Sequence, residues 1–466
     1  MTAPAAPPGP RGRWLTGTLA EFSRDRLGFM ARCARDYGDV VATRLGPYPV
    51  WFLFRPDLIE EVLVNQARNF TKHFALRLNP LVLGNGLLTS EGDFWLRQRR
   101  LIQPAFNRQR LAGYAPAMVA AARRMLDRWA PGAAIDVPAE MMRLTLEIAA
   151  ETMFGARVGP EADTVADALR VLQQSFVNRF GRLVRLPVWV PTPRNVRLRR
   201  AVARLDEIIY RFIGARRRSG ADRGDVLSLL LHARDEDDGT GMTDKQLRDE
   251  AMTLFLAGHE TTALALTWAW YLLATHPEAE ARLLAEADVQ LAGRPPAAED
   301  APRLRYAEWV ALEAMRLYPP AYAVGREALA ACDLGGWRLP AGMTVLMSQW
   351  VVQRDPRWFD RPDEFRPERW AGDAAQRLPK YAYFPFGGGP RLCIGNTFAM
   401  LEMVLVLAAI AQRCRFTLAP GQKVEPQPSF TLRPRGSILA GVTPRPAPTP
   451  AGPSPAAVAA GPAAAG

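Results

Sequence analysis

Few residues in this 466-residue chain combine a reactive side chain with a neighbourhood built to use it. The first is Cys393, carried by Phe384-Pro-Phe-Gly-Gly-Gly-Pro-Arg-Leu-Cys-Ile-Gly395. Four glycines and two prolines in that run exclude a helix interior or a regular strand, so the stretch is a shaped loop. It delivers the sulfur to the start of an apolar helix expected over Thr397–Ala411. There the macrodipole and unpaired N–H groups favour thiolate over thiol. The flanking glycines let a large flat ligand approach the backbone, with Phe386 and Phe398 as an apolar wall. A lone thiolate in such a loop suits an axial ligand to heme iron. A single cysteine is more often an inert buried thiol, a reading that the loop around this one disfavours.

The second constellation is Ala257-Gly-His-Glu-Thr-Thr262, polar residues set into an apolar run. A buried carboxylate or hydroxyl without a partner costs roughly 2–7 kcal/mol. Threonine hydroxyls can bond a preceding carbonyl and open a helix locally, and Gly258 allows close backbone approach. Alone, this segment fits a structural kink and a catalytic site equally well. Together with Cys393 it favours the catalytic one. Two weaker pairs follow, Glu313-Ala-Met-Arg316 and Trp95-Leu-Arg-Gln-Arg99. By itself the first is an ordinary ion pair three residues apart on a helix.

The cysteine loop resembles the heme-binding signature of the cytochrome P450 family, Phe-x-x-Gly-x-Arg-x-Cys-x-Gly, through Phe386, Gly389, Arg391, Cys393 and Gly395. The polar insertion resembles that family's oxygen-activation segment, and Glu313/Arg316 with Phe365-Arg-Pro-Glu-Arg-Trp370 its Glu-x-x-Arg and Phe-x-Pro-x-Arg elements. The resemblance runs from about Pro7 to Ala440, its landmarks in order. It implies heme b (iron protoporphyrin IX), with Cys393 as the iron ligand. It further implies that Thr261 stabilises bound dioxygen and that Glu260 relays protons for heterolytic O–O cleavage. Glu313, Arg316 and Arg369 would form one buried triad that holds the fold. Trp95, Arg99, Arg326 and Arg391 are the candidates for the heme propionates, which need cations or N–H donors; Phe386 and Gly395 complete the cofactor-binding set.

The elements that must position these residues are mostly helical. Thr243-Asp-Lys-Gln246 has the form of a capping box opening a long helix to about Thr275. Further helices are expected after Pro56, through Asp93–Arg218 with breaks near Gly132, Gly155 and Leu186–Pro193, after Pro277, and over Arg305–Tyr318. Gly38–Phe54 reads as a hairpin around Gly46-Pro-Tyr-Pro49. Val324–Ala328, Thr344–Ser348 and Thr431–Ala440 look like strands. The fold class is therefore mainly α, and the resemblance implies the cytochrome P450 fold, a large helical lobe and a small β-rich lobe with heme between them. Residues 1–443 would form the heme domain and the Ala/Pro-rich 444–466 a disordered tail.

Composition narrows the function classes. The hydrophobic share is 48% and the charged share 23%, as in globular proteins. The 4 cysteines and 4 histidines are scattered, which argues against disulfides and a zinc cluster. The net charge of +12 is almost all arginine. It is read mainly as compositional drift, and no nucleic-acid motif accompanies it. Pro7-Pro-Gly-Pro10 stands without a membrane anchor before it, and no run of about 20 apolar residues occurs. Leu186–Pro193, apolar and proline-rich, could be a lid, a membrane-touching tip or a plain connection.

The expected function is monooxygenation of a hydrophobic substrate, a fatty acid or terpenoid, by a cytoplasmic monomer. O2 and electrons from a ferredoxin or flavodoxin with its reductase would drive it. Arg391, Arg413 and Arg415 are candidates for docking that acidic carrier. Leu81–Leu83, Phe176, Phe180, Ala321–Val324 and Phe430–Leu432 would line the pocket, with Arg77 a possible tether for a carboxylate. A peroxide-driven hydroxylase or decarboxylase is the first alternative, although Glu260 and Thr261 are both present. A non-catalytic heme-based sensor is the second.

Overall fold

The structure, a computed structural model, describes residues 6–446 except 74–75, 77–79, 157–164, 166, 173 and 176–186. Arg77, Phe176, Phe180, Leu186 and the tail from 447 lie outside the described residues.

The axis of the molecule is the helix Asp244–Thr275, 32 residues and about 48 Å long. It begins where the sequence places it. Thr243 Oγ1 accepts the Gln246 N–H, and Gln246 accepts the Thr243 N–H at 2.8 Å. Val137–Phe154, Pro193–Ser219, Arg305–Leu317 and Asn396–Arg413 pack around it. Met141, Ile148, Met252, Leu266, Trp270 and Val406 are among the residues of this helical core. Asn396–Arg413 is long and apolar enough to cross a membrane, but Met403–Gln412 are buried inside this core.

The β lobe has a five-stranded sheet in the order Val40–Leu45, Tyr48–Leu53, Thr344–Met347, Val324–Ala328, Phe70–Lys72. The hairpin turns at Gly46-Pro47, with Leu45 paired to Tyr48 and Gly46 at φ 65°. Thr344–Met347 then runs parallel to Tyr48–Leu53, and the other pairs are antiparallel. Phe29, Trp51, Phe52 and Phe54 fill the lobe's own core. The lobes meet at Tyr318, whose ring stacks on Trp268 at 4.0 Å and also touches the β-lobe core.

Next to that joint lies the Glu-x-x-Arg network. Arg316 donates two 2.8 Å bonds to Glu313, and neither residue has any exposed surface. Arg316 also reaches the carbonyls of Gln353, Pro362 and Glu364. Arg369 Nε donates to Glu313 at 3.3 Å, so the triad expected from the resemblance is present. A fourth donor joins it: the Trp370 indole N–H, 2.9 Å from Glu313 Oε2.

Two local expectations need correction. The long helix is not opened at Thr261; it runs unbroken, with Thr261 Oγ1 donating to the Ala257 carbonyl at 2.8 Å inside a regular turn. The single strand expected over Thr431–Ala440 is two, Leu432–Pro434 and Leu439–Pro444, separated at Gly436 with φ 84°.

Candidate active site

A cavity of about 810 Å³ lies between the cysteine loop and the long helix. Cys393, Phe386, Gly395 and Phe398 contribute to its wall from the loop and the helix after it. Ala257, Gly258, Glu260, Thr261 and Thr262 do so from the long helix. Trp95, Arg99, Arg326 and Arg391 also line it, so all the site residues inferred from the sequence share one cavity.

Cys393 sits deep in the fold, yet its surface is exposed, and the space it faces is this cavity. Its amide N–H donates to the Phe386 carbonyl at 3.0 Å, closing the loop. Gly389, at φ 64°, is required: a Cβ there would stand 1.8 Å from the Leu63 carbonyl oxygen. The helix begins only at Asn396, so the sulfur lies before its first turn. Burial raises the Cys393 thiol's pKa, outweighing the Gly395 N–H and Arg99, which lower it.

Gly258 lines the cavity, and a Cβ on it would also meet Met153 Cε of the neighbouring helix at 2.8 Å. The residue of that turn exposed to the cavity is Ala257.

Glu260 is held firmly. Thr431 Oγ1 donates to its Oε1 at 2.6 Å, Arg433 Nε at 3.0 Å, and Arg433 forms an ion pair with it. Arg433 was not singled out from the sequence, because 173 residues separate it from Glu260.

A tetrapyrrole with two carboxylates needs an axial donor, apolar walls and cations at its edge. The chain supplies each. Lys72, Arg326 and Arg391 stand close enough to repel one another, with Glu91 as their paired carboxylate. Burial, then Arg391, pushes Lys72 down to about 7 and Arg326 to about 10. Arg391 Nη1 is buried without any hydrogen-bond partner. This surplus of buried positive charge fits a dianionic cofactor edge. Arg391 lies 4.6 Å over the Trp95 ring, and Arg99 Nη1 donates to the Leu392 carbonyl at 2.7 Å, bracing the loop beside the sulfur. Lys72 was missed; its register opposite Arg326 across two strands is what brings it here.

The pocket wall is partly as expected. Leu83, Ala321–Val324, Phe430 and Thr431 line the cavity, whereas Val82 and Leu432 are core residues. Leu87 and Leu88 line it as well. Their loop lies flush on the long helix because Gly86 has no Cβ; one would stand 2.2 Å from Thr253 Oγ1. Glu250 accepts the Leu87 N–H at 2.8 Å, and Lys72 donates to the Leu87 carbonyl at 2.7 Å.

Burial raises the Glu250 carboxyl to about 8, above the ordinary 4.5. The folded protein thus keeps a proton there that the unfolded chain loses, and this contribution to stability falls as pH rises from about 4.5 to 8. Glu250→Gln should flatten that part of a urea-stability profile against pH. Glu250→Leu, which removes the acceptor, should be about 1–3 kcal/mol less stable than Glu250→Gln at pH 7. Identical profiles for the parent and Glu250→Gln would refute this assignment.

The candidate docking arginines are not free. Arg413 pairs with Asp127 at 2.6 Å, Arg415 with Glu280, and Arg391 with Glu91.

Residues 7–440 match the family model for cytochrome P450. The chain is 42% identical over 431 residues to cyclooctatin synthase of Streptomyces melanosporofaciens, covering 91% of this chain and 92% of that one. It is 38% identical to cyclooctat-9-en-7-ol 5-monooxygenase of the same organism, covering 90% of each. With pentalenene oxygenase of Streptomyces avermitilis it shares 36% identity, over 91% of this chain and 93% of that one. Among solved structures, a cytochrome P450 heme domain superposes with a TM-score of 0.87 at 28% identity, covering 95% and 98% of the two chains.

Proposed function

The chain belongs to the cytochrome P450 family, and from that premise we propose that it hydroxylates a terpenoid-like hydrocarbon. As a monooxygenase it uses O2, a hydrophobic substrate and electrons from a redox partner. In this reading the partner is a ferredoxin or flavodoxin with its reductase, and residues 1–443 form one heme domain. The observation that carries the proposal is Cys393 and the Ala257–Thr262 turn in the wall of one largely apolar cavity. The three Streptomyces relatives support the substrate class through their names.

Heme, when bound, supplies the reductive splitting of O2 that places one oxygen atom in the substrate and releases the other as water. The protein's part is ligation, orientation and proton handling. Cys393 Sγ would ligate the iron, and Arg391, Arg326, Arg99, Lys72 and Trp95 would hold the cofactor's carboxylates. Leu83, Leu87, Ala321–Val324 and Phe430 shape the substrate volume and exclude water. Thr261 Oγ1, whose proton the Ala257 carbonyl accepts at 2.8 Å in the resting turn, would turn that hydroxyl toward the reacting oxygen. Glu260, fixed by Thr431 and Arg433, supplies protons to that turn.

The test is a panel of cyclic terpenes and fatty acids added to the heme-loaded protein. Terpenes should shift the heme absorption and yield hydroxylated product with a ferredoxin system; a response to fatty acids alone would reject the substrate class. Thr261→Ala should bind the same substrate but lower product formed per O2 consumed by about a hundredfold, within the usual range for a positioned proton donor. An unchanged ratio would remove Thr261 from the proton path.

A further inference from the structure

The helix Pro193–Ser219 buries one face, Leu198, Val202, Leu205, Ile209 and Ile213. At 100° per residue, Arg197, Arg200, Arg204, Arg211 and Arg218 fall within an arc of about 60° on the opposite side. All five are exposed. The stripe spans 21 residues, about 32 Å. Arg197, Arg200 and Arg204 have no acidic partner among the described residues, unlike the paired Arg413 and Arg415. At the N-terminal end of this helix, Trp189 is 75% exposed. It stands on an ordered turn: Asn195 Nδ2 donates to the carbonyls of Pro187 and Val190, both at 2.9 Å, and Thr192 caps the helix.

We propose that this face docks on an anionic lipid surface, with Trp189 entering the headgroup boundary and the arginine stripe lying along the phosphates. A rigidly presented tryptophan beside a cationic stripe is the pairing that a bilayer interface rewards, apolar ring in the acyl boundary and charge outside it. An acidic protein or a nucleic acid would account for the arginines but not for the tryptophan. An electron carrier must approach near the cysteine loop, whereas this helix packs on the long helix that forms the cavity wall across from it. An enzyme whose cavity takes hydrophobic molecules gains from such a surface, because those molecules concentrate in lipid.

Cosedimentation of the heme-loaded protein with vesicles tests this without turnover. Vesicles of phosphatidylcholine with about one third phosphatidylglycerol should carry the protein down at low salt, and pure phosphatidylcholine should carry far less. An Arg197→Gln/Arg200→Gln/Arg204→Gln variant should lose about a hundredfold in partitioning, about fivefold per arginine. Trp189→Ala should weaken binding by several-fold and, being apolar, should do so equally at high salt. Unchanged heme absorption in both variants shows that they fold. Equal sedimentation with both lipid mixtures would overturn the proposal. So would a triple variant that binds like the parent. Parent-like lipid binding by Trp189→Ala, with duplex DNA displacing the vesicles, would instead make the stripe a polyanion site and overturn it too.

Discussion

Cys393→Ser is expected to abolish the absorption band that marks thiolate ligation when the reduced protein is exposed to carbon monoxide. Monooxygenation should fall by at least a factor of ~10³, equivalent to about 4 kcal/mol on the barrier. The reason is specific to this sulfur. Among the described residues, Cys33, Cys332 and Cys414 are buried and only Cys393 is exposed, its surface belonging to the cavity. A serine would keep the loop, because the structural bonds there are made by backbone: Cys393 N–H to the Phe386 carbonyl, and Leu392 N–H to Gly389. Folding should therefore survive, and heme should stay bound through the cationic edge while the electronic character of the ligand is lost. Retention of the thiolate-type band in Cys393→Ser would reject the whole assignment. Cys414→Ser should leave the band unchanged.

The second large effect is on stability. Arg316→Ala should cost about 3–5 kcal/mol, because it leaves the Glu313 carboxylate buried with two of its side-chain donors gone and exposes nothing to water in their place. Arg369→Ala should cost less: its bond to Glu313 is longer, 3.3 Å, and its side chain is partly exposed. Trp370→Phe isolates the indole N–H. It should cost about 1.5–3 kcal/mol, the range for a hydrogen bond to a charged group, with ring packing against Tyr383 largely kept. Urea unfolding followed by heme absorption gives the order Arg316→Ala, then Arg369→Ala and Trp370→Phe. An Arg316→Ala effect below that of Arg369→Ala would contradict the network described.

Both predictions start from features legible in the chain itself. The cysteine loop could be read because its constraints are local: four glycines, two prolines and the sulfur lie within 12 residues. A capping box is likewise a four-residue event, so the start of the long helix was readable, as was the hairpin at Gly46-Pro47. Helix pairs three apart need no tertiary knowledge, which is why Glu313 and Arg316 could be matched. Trp370, which ends the Phe-x-Pro-x-Arg segment, acquires its role from the distance to Glu313 in space.

Residue types and short spacings were enough to specify the ligand loop, the polar turn and the helices bearing them. Which charges are matched emerged from packing alone. Glu260 meets Arg433 across 173 residues, Lys72 comes to Arg391 through the register of two strands, and Arg413 and Arg415 turn out to be paired. The physical reason is range. Backbone preferences and caps act within a turn or two, whereas desolvation and charge pairing depend on which distant segments pack together, and no local pattern encodes that.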